Sequence, residues 1–179
     1  MSIAFRPIHG TLCLIAALIF AASAGSAHSA TSTVCPTGCD HTTIQAAVDA
    51  AADGDTIEVG AGTYVENVVV YRDLAIVGAG IGETIVDGDA AGHVFDVIGV
   101  PLLLRGMTIR NGMSYAGGGV AVFNEADVTL DQCEVRENRA TNSGGGIYID
   151  TGEVRSRPTR SQATTRASTV AGSSTSTAR

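Results

Sequence analysis

Lysine is missing from the sequence: all 11 basic residues are arginine. A phosphate loop needs a lysine and a Ser or Thr directly after its glycines, so the runs Gly117-Gly118-Gly119 and Gly144-Gly145-Gly146 are not nucleotide cradles. Tryptophan is also absent, and aromatics make up only 4% of the chain. Sugar-stacking platforms are thereby reduced to Tyr64, Tyr71, Tyr115 and Tyr148, and Tyr115 and Tyr148 sit at different offsets from the glycine runs, which gives no continuous stripe. Between Thr31 and Val154 there are 18 acidic residues against 5 arginines, whereas Arg155 to Arg179 has 5 arginines and no acid. Phosphate backbones and anionic lipid repel such an acidic body, which excludes nucleic acid and membrane surfaces as its partners.

A single long apolar run, Leu12 to Ala22, follows Arg6 and precedes the small residues Ser23 to Ala30. This is the pattern of a secretory signal peptide, cleaved after Ala24, Ala27 or Ala30. At ~20 apolar residues for a bilayer span, the run is too short to anchor the chain, and no membrane span is expected after its removal. Cys13 would leave with it. In an oxidising compartment the spacing Cys35-Pro36-Thr37-Gly38-Cys39 suits a local disulfide; the rival reading is half of a zinc site beside His41. Cys133 reads as a small inward-facing apolar residue.

The first regular element should be a helix from Thr43 to about Ala52. Ile44, Ala47, Val48 and Ala51 share one face, and Thr42 with Gln45 has capping-box spacing. Short β-rich runs follow, broken by Gly, Asp and Asn: Thr56 to Val59, Val65 to Val70, Leu74 to Val77, Thr84 to Val86, His93 to Ile98, Leu102 to Leu104, Met107 to Ile109, Val120 to Phe123, Val128 to Leu130 and Ile147 to Ile149. A repeat decides how they are layered. Gly117-Gly118-Gly119-Val120 recurs as Gly144-Gly145-Gly146-Ile147, 27 residues on, and Leu104, Met107 and Ile109 recur as Leu130, Cys133 and Val135, 26 residues on. Strands and tight turns at a period in the twenties imply a β-solenoid, with Leu104 stacked under Leu130, Met107 under Cys133 and one residue inserted in a turn. Asn111, Asn124 and Asn138 would satisfy turn backbone groups, and the early helix would cover the open edge of the first coil.

The segment from Thr43 to Ala51, followed by Asp53-Gly54-Asp55-Thr56-Ile57, Gly62-Thr63-Tyr64, Glu66-Asn67 and Leu74 to Gly78, resembles the opening coils of pectin-lyase-like β-helix proteins, pectin methylesterases among them. The triple glycines, each with an Asn six residues upstream (Asn111 and Asn138), resemble repeats of bacterial surface β-helices such as the polymorphic outer-membrane proteins. The resemblance implies an all-β fold, a right-handed parallel β-helix with a short N-terminal capping helix. It spans Val34 to Val154, inside an order of signal peptide (1–30), β-helix (31–154) and basic tail (155–179).

Enzymes of that superfamily use paired Asp with Arg, or an Asp cluster holding calcium; no such motif is legible here. Asp53 with Asp55, and Asp87 with Asp89, are pairs beside Gly that read as turn formers, with a calcium role for the second pair left open. The run Gly78-Ala79-Gly80-Ile81-Gly82 has Glu83 where a dinucleotide loop needs its third glycine, and a strand follows it. His41 and His93 are alone in sequence. No catalytic, cofactor or metal site is assigned. The expected function is therefore a non-enzymatic, secreted or cell-surface scaffold or adhesin-like module, whose partners are polysaccharide or cell-surface components. The alternative is a fragment of a polysaccharide lyase or pectinesterase that lacks its catalytic coils.

The tail after Val154 reads as disordered, and also as a shifted reading frame. Codons allowed for Ser168 to Thr175 spell Asn-Gly-Gly-Gly-Ile-Phe-Asn when read two nucleotides later, about where the next coil is due. A β-helix cut there would leave a strand edge open to edge-to-edge self-association.

Overall fold

The computed structural model describes residues 29–157, and they form a parallel β-solenoid of about five coils. Two faces of the coil belong to one sheet. The first face stacks β1 (Thr31–Val34), β2 (Asp55–Val59), β5 (Leu74–Gly78) and the leading halves of β8 (Pro101–Arg110) and β11 (Ala126–Arg136), and ends on β14 (Gly152–Arg157). The second face stacks β3 (Gly62–Val65), β6 (Thr84–Asp87) and the trailing halves of β8 and β11. A second sheet closes the coil with β4 (Val68–Val70), β7 (Phe95–Ile98), β10 (Val120–Phe123) and β13 (Ile147–Ile149), and β9 (Met113–Ala116) pairs with β12 (Arg139–Ser143) at the remaining corner.

Alternation puts every second residue inside, and parallel register stacks like on like. Ile57, Ile76, Leu104 and Leu130 form one column of the core. Tyr64, Val86, Ile109 and Val135 form another, and Val68, Phe95, Val120 and Ile147 a third. Nearly all of these side chains are buried. Each such aliphatic side chain contributes roughly 1.5–3 kcal/mol by leaving water.

The expected stacking of Leu104 on Leu130 and Met107 on Cys133 is present. One pair of sequence runs merges and one run divides, contrary to expectation. Leu102 to Leu104 and Met107 to Ile109 are one strand, β8, which turns a corner at Gly106 (φ 64°); β11 turns at Gln132 (φ 53°). The run Val65 to Val70 is two strands, because Glu66 and Asn67 make the corner between them. The inserted residue lies in β12, whose register shifts between Ala140 and Ser143, and not in a turn.

The helix α1 spans Ile44–Ala50 and buries Ile44, Ala47 and Val48. Its N-cap is Thr43, whose side chain accepts from the Ala46 N–H, and not Thr42. Gln45 has another task. Its amide accepts from Val69 N–H at 2.8 Å and donates to Val69 O at 3.3 Å, pairing with the edge strand β4 as a neighbouring strand would. Glu66 in turn accepts from the free N–H groups of Ile44 and Gln45 at 2.9 and 3.0 Å, which suits a carboxylate at a helix start. The helix thus covers the first coil's edge, as expected, and is locked to the corner it covers.

The strand β14 runs three residues beyond the boundary set at Val154, pairing Arg155, Ser156 and Arg157 with Thr129, Leu130 and Asp131. Ser156 there continues the column that holds Ile76, Leu104 and Leu130, and is exposed. Residues 1–28 of the expected signal peptide (1–30) and the tail from 158 lie outside the described residues. Among the described residues no helix is long and apolar enough to cross a membrane.

The turn before β7 holds Ala90 at φ 55°, with its N–H donating to Asn111 O at 2.7 Å. A Cβ in the left-handed region costs about 1 kcal/mol, which glycine avoids. Ala90→Gly should therefore raise the melting temperature by about 4 °C; calorimetry checks it, and a lower melting temperature would contradict the turn geometry.

Candidate functional site

The cysteine question is settled in favour of the disulfide: Cys35 and Cys39 are bonded, with Cα atoms 5.5 Å apart. Cys133 is free and half-buried, its thiol donating to Leu104 O at 3.3 Å, and burial pushes it up to about 11. At pH 8 it is therefore almost wholly protonated, and the thiolate is the reactive form. Iodoacetamide should alkylate Cys133 slowly in the folded chain at pH 8 and rapidly in denaturant; equal rates would contradict its place under the core.

The triple glycines lie where one coil approaches the next closely. Gly117 and Gly144 sit in the left-handed region, at φ 68° and 56°. The Gly117 N–H donates to Gly144 O at 3.0 Å and the Gly119 N–H to Gly146 O at 3.0 Å, while Val94 and Phe95 below donate to Gly118 O and Gly119 O, each at 3.0 Å. A Cβ on Gly118 would collide with Arg139 O, and one on Gly119 with Gly146 O. On Gly145 it would crowd Asn138 O at 2.9 Å, whereas on Gly146 it would meet only a Val135 methyl at 3.6 Å.

The two asparagines upstream are not equivalent, contrary to expectation. Asn138 accepts from Gly112 N–H at 2.8 Å and donates to Ile109 O at 3.0 Å, so it closes the corner of the coil beneath it. Asn111 follows Arg110 as Glu137 follows Arg136, its register partner, and both have φ near 55°. Its amide donates instead to Asp87 at 2.9 Å. The equal spacing to each glycine run is produced by the β12 bulge, which falls after Asn138.

The carboxylate pairs serve turns. Asp53 accepts from Asp73 N–H, and Asp55 from Ala52 and Ala30 N–H. Burial opposes the charge on Asp87, but the Asp89 N–H, Arg110 at 2.8 Å and Asn111 outweigh it and hold the carboxyl below its usual range. No group of three metal-binding side chains forms among the described residues. The segment Gly78 to Gly82 joins strand to strand, as its sequence requires. Tyr64, counted as an exposed platform, is buried, with its hydroxyl donating to Gly60 O at 3.0 Å, because its ring belongs to a core column.

What the sequence does not bring together, stacking does. On the outer face of the second sheet, Val69, Asp96, Ala121 and Tyr148 form a row, with Ile98 beside Phe123 in the next. The turn into β7 lays His93 across this face. Its Nδ1 is 2.6 Å from Gly117 O, and a carbonyl only accepts, so Nδ1 carries the ring proton. In the neutral ring Nε2 is then an acceptor, and it takes a hydrogen bond from the Ser114 hydroxyl at 3.1 Å. Asp96 Oδ1 stands 3.6 Å from the same Nε2, buried and without a hydrogen-bond partner among the described residues. Burial raises the Asp96 carboxyl above its usual range, opposed by His93. Phe123 meets the imidazole edge-on with centroids 6.2 Å apart, and Tyr148 lies 6.0 Å beyond Phe123. His93 was legible only as a lone histidine, since Ser114 is 21 positions away. The coil period is the one signal that could have joined them, because a difference slightly short of a full turn returns the chain to the same face.

No family model matches the chain, and no curated protein matches it.

Proposed function

We propose that the chain is an exported β-helix repeat module of the pectin-lyase-like kind, a secreted or cell-surface scaffold with an adhesin-like role toward polysaccharide or other cell-surface components. One observation carries this reading: charged side chains outside the core tie coil to coil. Arg105 meets Asp131 and Arg110 meets Asp87, each at 2.8 Å, and Arg155 reaches Asp127 at 3.6 Å. Asp87 is buried and the other two pairs are more exposed. Exposed pairs add little stability each, but repeated along a solenoid such ties hold successive coils in one register and present an extended, regular surface. Export is supported by the Cys35–Cys39 disulfide, which belongs to an oxidising compartment. Cleavage after Ala24 or Ala27 would keep the two bonds made by the Ala30 backbone, to Asp55 and to Thr56.

The shifted-frame reading gains support from Ser156, a hydroxyl where the two coils below place leucine. Sequencing the gene for further triple-glycine repeats in the alternate frame beyond Val154 tests it. The scaffold reading is tested by incubating the secreted protein with pectin, polygalacturonate and alginate, with and without calcium. Retention on one of these polymers without unsaturated ends, reducing sugar or methanol above a boiled control is expected; release of any of these products would replace it with the lyase or esterase reading.

A further inference from the structure

We propose that Ser114 is a histidine-activated nucleophile, with His93 as its base, which takes a small acyl group from an ester at the outer face of the β4–β7–β10–β13 sheet. This goes beyond the scaffold reading and does not depend on it.

A serine hydroxyl at its ordinary acidity is a weak nucleophile, and it becomes competent when a base accepts its proton during attack. Three features of this corner meet that need. The Gly117 carbonyl holds the proton on His93 Nδ1, which is the tautomer that leaves Nε2 free to accept. The Ser114 hydroxyl already donates to that nitrogen at 3.1 Å, within the reach of nucleophile–base pairs. Asp96 places an unpaired carboxylate oxygen 3.6 Å from Nε2, beside the positive charge that the ring acquires on taking the serine proton. Here a backbone carbonyl orients the base, and the carboxylate lies on the reacting side. His93 retains 18% side-chain exposure and Asp96 30%, so the corner is open to a small molecule. Phe123 and Tyr148 flank it and supply an apolar wall for an aryl or alkyl leaving group.

The step is acyl transfer. Ser114 Oγ bonds to the ester carbonyl carbon as its proton passes to His93 Nε2. The tetrahedral oxyanion collapses, the bond to the leaving oxygen breaks, and that oxygen takes the proton from Nε2 to depart as an alcohol. Water then repeats the sequence on the acyl-serine, giving up a proton to Nε2 that returns to Ser114 Oγ, and the carboxylic acid is released.

The test uses the full chain with a fluorophosphonate probe, peptide mapping of the adduct, and p-nitrophenyl acetate to follow an acylation burst. The expected result is an adduct on Ser114 and a burst, both absent in Ser114→Ala and unchanged in Ser143→Ala, one coil further on. His93→Gln, whose amide can keep the bond to Gly117 O, should slow labelling by about 100-fold or more with its melting curve preserved. Two results would overturn the proposal: no Ser114 adduct in the unmodified protein above a heat-denatured control, or equal labelling of His93→Gln. The first needs no variant to fold, and neither bears on whether the protein is retained on polysaccharide.

Discussion

Leu104→Asp leaves no folded domain. Leu104 is fully buried between Ile76 and Leu130, in parallel strands that cannot separate locally without breaking the ladder on both sides. A carboxylate there finds no partner, and an unpaired buried charge costs about 4 kcal/mol or more, a large share of the ~5–15 kcal/mol that holds a domain together. Loss of the far-UV strand signal, or failure to accumulate on expression, is the expected outcome. Leu130→Asp should cost less, because its upper neighbour in the column is the exposed Ser156. Asp89→Asn, in a turn at φ 47°, which Asn adopts readily, should leave the melting temperature within about 1 °C. Cooperative unfolding of Leu104→Asp at the parent temperature would remove the core column.

The second large effect distinguishes two glycines that look alike in the sequence. Gly118→Ala drives a methyl into the Arg139 carbonyl and crowds the Gly112 carbonyl, both backbone atoms, so two coils must move apart. A loss of about 3 kcal/mol is expected, in the range of overpacked or strained backbone sites. Gly146→Ala meets only a side-chain methyl at an ordinary distance and has no left-handed φ, so its effect should stay within about 0.5 kcal/mol. Urea melts of the two variants check this; equal losses would mean that the glycine runs serve chain flexibility and not close approach.

The part of the fold that repeats was legible in the sequence, and the part that does not repeat was hidden. Leu104, Met107 and Ile109 echo in Leu130, Cys133 and Val135 because consecutive coils of equal length carry the same inward positions. The first coils break that rule: Ile57 stacks under Ile76 after 19 residues, and Ile76 under Leu104 after 28, so no fixed period links them. The strands β9 and β12 lack apolar alternation, since Met113, Tyr115 and Arg139 face solvent there, and only backbone pairing reveals them. Asn111 and Asn138 shared a sequence spacing that the β12 bulge creates, so the motif suggested one role where there are two. The candidate site was hidden for a related reason. Ser114 approaches His93 through the stacking of one coil on the next, and no local pattern in either segment records the hydroxyl, the carbonyl and the carboxylate that converge on the ring.

Register is the claim on which the core columns, the glycine contacts and the His93 corner all rest. Leu103 and Thr129 are direct neighbours on adjacent parallel strands and face outward, at the ~4.8 Å strand spacing that a disulfide can bridge. Leu103→Cys with Thr129→Cys, made in a Cys133→Ser background, should oxidise in the folded protein to a single intramolecular bond, read as the loss of two hydrogens by intact mass and a 103–129 linked peptide. Arg105→Cys with Thr129→Cys is offset by two residues, about 8 Å apart, and should not bridge. Oxidation of the offset pair in preference to the 103–129 pair would contradict the register, and with it the solenoid as described.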